Sequence, residues 1–171
     1  MTAGPGRYRS LRAVLATVGG LAGLAAILPA AELRAEAACS PGRVDLRWPG
    51  GRQSFVVEVA DDTAERALGL MARETLSPDA GMLFVYEAPR AAQFWMKDTL
   101  IPLDMIFADA AGVVTRVHGN AVPLDLTPID GGSDVQFVLE VNGGLAERLG
   151  IVPGAVLRHP AIGDAAAWPC K

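Results

Sequence analysis

The sequence predicts a mainly β domain, an antiparallel β-sandwich or barrel with one packed amphipathic helix and a short second helix. Three observations carry this. Seven or eight short apolar or alternating segments follow one another between residues 44 and 158. Turn residues separate most of them, where a parallel α/β fold would need helices. Only one segment opens with a strong helix-start signature.

Residues 1–38 stand apart from that domain. Arg7, Arg9 and Arg12 precede an apolar run of 16 residues, Ala13 to Leu28, followed by Pro29 and Ala-rich sequence. This is the form of a secretory signal peptide, with Ala35-Glu36-Ala37 as a small-x-small cleavage site. A spanning helix takes about 20 residues, so an uncleaved signal anchor is the alternative. The expected location is therefore exported, periplasmic or extracellular, with the membrane touched only through an uncleaved leader. Residues 39–171 are expected to form a single β-rich domain. They carry 11 basic and 17 acidic residues, a net charge of −6. An acidic domain without a Lys/Arg cluster argues against nucleic acid as a partner.

The elements follow in order. Val44–Trp48 is a short strand between turn-rich pieces. In Gln53–Ala60, Phe55, Val57 and Val59 alternate with polar residues, the period of a half-buried strand. Asp62-Thr63-Ala64-Glu65 is a capping box, opening a helix to about Arg73 with Ala64, Leu68 and Met71 on its apolar stripe. Gly69 within it suggests close packing by another backbone. Met82–Tyr86 is an apolar strand, and Glu87–Arg90 reads as a turn. Gln93–Lys97 and Leu103–Ala108 are strands, as is Val113–Gly119. Asn120–Ser133 is the longest irregular connection. Val135–Asn142 is a strand, Leu145–Leu149 a short helix, Gly154–Arg158 the last strand and Gly163–Lys171 a tail. Cys39 and Cys170 lie at the two ends of the domain. An exported compartment permits disulfides and domain termini are often close, so the two are expected to pair, with free thiols as the alternative. Two cysteines alone do not make a zinc site.

The chemistry concentrates in Phe94–Phe107, where charges interrupt apolar strands. Buried charges need partners. If Gln93–Lys97 and Leu103–Phe107 form a hairpin with Lys97 opposite Leu103, its loop end presents Lys97, Asp98 and Asp104. Arg66 and Arg73 on the helix are the natural cations for the two carboxylates. Two readings share these residues. In one, an Arg/Asp network fastens helix to hairpin. In the other, Arg66, Arg73, Trp95, Lys97, Asp98 and Asp104 border a pocket for a small polar ligand such as a sugar or an anion.

Other chemistries have weaker support. No clustered carboxylate loop suits a hard metal. Met71, Met82, Met96 and Met105 suit core filling better than copper. No Gly-x-Ser-x-Gly elbow is present, and neither His118 nor His159 has a nearby nucleophile. An enzyme reading would rest on Asp98 or Asp104 as acid/base alone. No catalytic residue, metal or cofactor is assigned. The expected partner is a small polar ligand or a component of the cell envelope.

Several motifs together resemble a known family. They are Glu65-Arg66-x-x-Gly69-Leu70-Met71-x-Arg73, Gly81-Met82-Leu83-Phe84, and Phe94-Trp95-Met96-Lys97-x-Thr99-x-Ile101-Pro102-Leu103-Asp104. Val138-Leu139-Glu140-Val141-x-x-Gly144 and Gly150-Ile151-x-x-Gly154 also fit. The ordered set resembles the uncharacterised family called domain of unknown function 192, from about Gln53 to Arg158. The family pattern usually reads Trp-Met-Lys-Asn-Thr, and here Asp98 stands in place of that Asn. The resemblance implies a jelly-roll-like β-sandwich with a packed helix, and members that are commonly exported or membrane-associated. It implies no established activity.

Overall fold

The computed structural model describes residues 38–170 together with Met1, Thr2 and Gly4. The expected signal peptide therefore lies almost wholly outside the described residues. Residues Glu36–Lys171 form one compact unit. Its elements are β1 (Arg43–Trp48), β2 (Gly51–Ala60), α1 (Thr63–Leu68), β3 (Ala80–Phe94), β4 (Leu103–Ala108), β5 (Val114–Ala121), β6 (Ile129–Asn142), α2 (Leu145–Leu149) and β7 (Val156–Arg158). Among the described residues no helix is long and apolar enough to cross a membrane.

The fold is mainly β, as the segment spacing predicts. One seven-stranded sheet runs in the order β5-β4-β6-β3-β2-β1-β7 and curls into a half-barrel. Every neighbouring pair is antiparallel except β2 with β3. The two edges of the sheet meet at one end. Val113 bridges Val156, Val114 N–H donates to the Ala155 carbonyl at 2.8 Å, and Leu157 N–H donates to the Gly112 carbonyl at 2.8 Å.

Alternation along the strands builds two apolar layers. On one face of β6, Phe137, Leu139 and Val141 pack with Val44, Leu46, Phe55, Ile106 and Leu157. On the other, Val138 joins Met82, Phe84, Leu103, Met105 and Phe107. All six residues of β4 are buried, because it is covered on both faces. Each fully buried Phe or Leu here contributes about 2–3 kcal/mol by removal from water. The β3–β6 ribbon outruns the rest of the sheet and slips register between Val85 and Arg90 and twice more before Gln93. Such bulges bend a ribbon. The bend brings Phe94 edge-on to Phe84 and Phe107, with ring centroids 5.2 and 5.7 Å apart. A side chain at Gly131 would collide with the Phe107 ring, so the returning ribbon needs glycine at that crossing.

Several local expectations are corrected. β3 and β4 both flank β6, so Gln93–Lys97 and Leu103–Phe107 do not form a hairpin. The 95–102 segment is taken instead by the loop after β5. Met96 N–H donates to the Asp125 carbonyl at 2.9 Å and Leu124 N–H to the Thr99 carbonyl at 3.1 Å. The residues read as a turn at Glu87–Arg90 lie inside the bulged strand β3. Helix α1 ends at Leu68 rather than near Arg73. Gly69 caps it with φ 51°, and its N–H bonds to the Glu65 carbonyl. A Cβ there would sit 3.3 Å from the Phe84 ring, so a side chain packs against Gly69 where a backbone was expected. With the helix stopped early, its supposed apolar stripe does not face the core. Leu68 is 62% exposed, and Leu70 beyond the cap is the buried residue. The irregular connection shrinks, since β5 runs to Ala121 and β6 begins at Ile129. The tail is anchored too: Trp168 is buried, with the Arg47 and Arg158 guanidinium carbons each 4.6 Å from its ring centroid. The expected pairing of Cys39 and Cys170 is present as a disulfide, with Cα atoms 5.7 Å apart.

Candidate functional site

The charges singled out in the sequence separate into different jobs. Asp104 is fully buried on β4, and none of its partners is a cation. Its carboxylate accepts from Asn120 N–H at 2.6 Å, Gly144 N–H at 2.8 Å and Ala146 N–H at 2.6 Å. It thereby ties the end of β5 and the start of α2 to the middle of the sheet. Arg73 instead makes a paired, two-pronged bridge to Glu58 on β2, with both nitrogen–oxygen distances 2.6 Å. Arg66 donates to the carbonyls of Asp61 at 2.5 Å and Val85 at 2.8 Å, and reaches Glu87 at 3.2 Å. The expected Arg/Asp network between helix and hairpin does not form, because the hairpin that would have gathered it is absent.

Asp98 is exposed and sits at φ 53°. That left-handed conformation is tolerated by Asn and Asp, whose short polar side chains relieve its steric cost. The exchange of the family's Asn for Asp98 therefore conserves a backbone requirement. The Asp98 carbonyl accepts from Ala72 N–H at 2.7 Å, joining the 95–102 segment to the turn after α1. Lys97 is exposed, its ammonium 5.6 Å from the Trp95 ring centroid.

The residue that sequence reasoning passed over is Glu140. It lies on β6 between Met82 of β3 and Met105 of β4, facing the second apolar layer. It is 4% exposed. Among the described residues no hydrogen bond or ion pair reaches its carboxylate, whose oxygens are not sealed off but open onto a cleft. Burial among apolar neighbours disfavours the charged form and pushes this carboxyl up to about 8. At neutral pH Glu140 is therefore mostly a protonated acid. The signal for it was in the sequence: it is the one charge in the apolar run Phe137–Val141.

That cleft, of about 100 Å³, lies between the turn after α1 and the sheet. Phe84, Tyr86, Phe94 and Trp95 form aromatic walls, Thr99 and Glu140 lie deeper, and Arg66 and Leu68 stand at the helix side. Burial also raises the Tyr86 phenol above its ordinary value. Of the six residues expected to bind a ligand, the cleft gathers Arg66 and Trp95. Arg73, Lys97, Asp98 and Asp104 are not among its lining residues.

The family model described as "Uncharacterized ACR", domain of unknown function 192, matches residues 46–159. The chain belongs to this family. A search of proteins with curated functions gave no match. Two solved structures of similar proteins agree with the fold. A protein of unknown function from Novosphingobium aromaticivorans DSM 12444 is 44% identical, covering 67% of this chain and 82% of that one, with a TM-score of 0.66. A putative transcription regulator from Sinorhizobium meliloti 1021 is 41% identical, covering 71% of this chain and 95% of that one, also with a TM-score of 0.66. Membership of domain of unknown function 192 thus comes with a fold and without an assigned activity. Glu140, Phe94, Trp95, Thr99 and Gly69, all of which line the cleft, fall within the matched span.

Proposed function

We propose that this member of domain of unknown function 192 is an exported, non-enzymatic binding module that holds a small ligand in the cleft floored by Glu140. One observation carries the reading: Glu140, only 4% exposed among apolar neighbours, turns a carboxyl with no hydrogen bond or ion pair among the described residues onto a cleft. A ligand able to hydrogen-bond that carboxyl would replace its restricted contact with water in the cleft by a fixed partner. The disulfide and the leader-like first 38 residues support export to a periplasmic or extracellular location.

A role in transcription regulation, the one named for the Sinorhizobium relative, has less support if it requires binding DNA directly. Arg66, Arg73 and Arg116 each face an acid, so the surface offers no basic stripe built from them. A catalytic role for Asp104 also has little support, since its carboxylate is consumed by three backbone N–H groups.

The test is a fragment screen by thermal shift and ligand-observed NMR on the oxidised protein, with Glu140→Gln and Trp95→Ala alongside. Binding in the wild type that both substitutions weaken supports the cleft. A screen with no hits, or hits indifferent to both substitutions, removes it.

A further inference from the structure

The chemistry around Glu140 narrows the ligand class, and this step rests on the cleft being a binding site. The floor supplies a carboxyl group with no cation among the described residues to answer it. The walls are aromatic, and ring faces attract cations. Arg66, the guanidinium at the cleft, is already bound by two carbonyls and Glu87, so it brings little uncompensated positive charge. An anion would meet the electron-rich ring faces and would hold Glu140 in its neutral form, with only the already paired Arg66 to attract it. A cation would meet an ionisable carboxyl and the Phe84 and Phe94 rings, while the Tyr86 and Trp95 rings already face Arg66, Arg90 and Lys97 at the rim.

Size and mouth add two constraints. A cavity of about 150 Å³ holds benzene, so this one, of about 100 Å³, suits a group of roughly four heavy atoms. The mouth is apolar. Leu68 and Trp95 line the cleft and are 62% and 51% exposed. They adjoin loops that expose Leu100, Val122, Leu124 and Leu126. These loops are sewn together by the Leu124–Thr99 and Met96–Asp125 backbone bonds. Apolar surface left open beside a polar pocket suits the stem of an amphiphilic ligand.

We propose that the cleft binds a free primary alkylamine, with the ammonium on the Glu140 carboxylate and the alkyl stem leaving between Leu68 and Trp95. Binding the ammonium stabilises the ionised form of Glu140, whose proton goes to solvent. The titratable and charged groups facing it are Tyr86 from β3 and Arg66 from α1; the flanking Met82 and Met105 do not titrate. Affinity therefore rises with pH, by up to about tenfold per pH unit between 6 and 8.

The experiment titrates n-hexylamine, hexanoate and hexanol into the oxidised full chain, followed by tryptophan fluorescence and calorimetry. Hexylamine is expected to bind saturably and to release a proton, at least tenfold more tightly than the other two. Glu140→Gln should cost at least tenfold and abolish the pH dependence. Leu68→Lys, at an exposed position, should weaken hexylamine more than hexanol, because both lose an apolar contact and only the amine meets the added like charge. Equal or tighter Glu140-dependent binding of hexanoate or hexanol overturns the amine class and leaves the cleft reading standing. Absence of binding by all three, with no hit in the fragment screen, overturns both.

Discussion

Replacing Glu140 with Gln should change how stability depends on pH, and the size of the change follows from its burial. The folded protein holds this carboxyl at about 8 against an ordinary 4.5. The folded state therefore keeps a proton that the unfolded chain gives up. For an acid raised in this way, stability is greatest below the unfolded value and falls as pH climbs toward the folded value. At about 1.4 kcal/mol per pH unit, the full loss between pH 4.5 and 8 is about 5 kcal/mol. A glutamine has nothing to ionise, so the variant lacks this loss. Urea unfolding of both proteins at intervals from pH 4.5 to 9 would give the difference directly, and the subtraction cancels the other titrating groups. Wild type minus variant should fall steadily by a few kcal/mol and level off above pH 8. A flat difference across that range would refute the reasoning, since it would mean that Glu140 ionises as an ordinary surface carboxyl does.

Other expectations concern the fastenings of the fold. Asp104→Ala strands three backbone N–H groups and should destabilise by about 3–5 kcal/mol in chemical denaturation, with Asp104→Asn losing roughly half as much. Reducing the Cys39–Cys170 disulfide reopens a loop spanning 131 residues. That should cost about 2–5 kcal/mol, read as a lower melting temperature in reductant while the β signal in circular dichroism persists. Arg73→Ala breaks a surface bridge whose side chains are 36% and 57% exposed, and should shift stability by no more than about 1 kcal/mol.

The β architecture was legible because half-buried strands alternate and their turns carry Gly, Pro and Asp. The capping box of α1 is present, its Asp62 carboxylate accepting from Glu65 N–H at 2.8 Å. Its end was missed, because a glycine within an apolar period reads equally as packing or as a cap. The false hairpin had a different origin. Period and turn signals specify strands, but not which strand lies between two others, and β6 sits between β3 and β4 through pairing distant in sequence. The outer half of β3 is exposed and carries Glu87, Pro89 and Arg90, so no apolar alternation marked it as strand. Within the site, the rule that a charge in an apolar strand needs explaining was applied to Asp104 and overlooked for Glu140. Asp104 proved to be a structural fastening. Glu140, with no partner among the described residues, is the candidate for function.

The neighbours of β1 also govern how the chain can assemble as it emerges. β1 pairs with β2 on one side, a partner available almost at once, and with β7 on the other, made by Val156–Arg158. Any shorter nascent chain presents an open strand edge, with Asp45 still lacking the Arg158 guanidinium that reaches it at 2.5 Å. An unpaired edge of that kind invites pairing with another chain. Completion therefore waits for the last residues, when Cys170 also arrives to meet Cys39. Truncation by 16 residues at the C-terminus would remove β7 and Cys170 together and leave a chain prone to association rather than a slightly weakened domain.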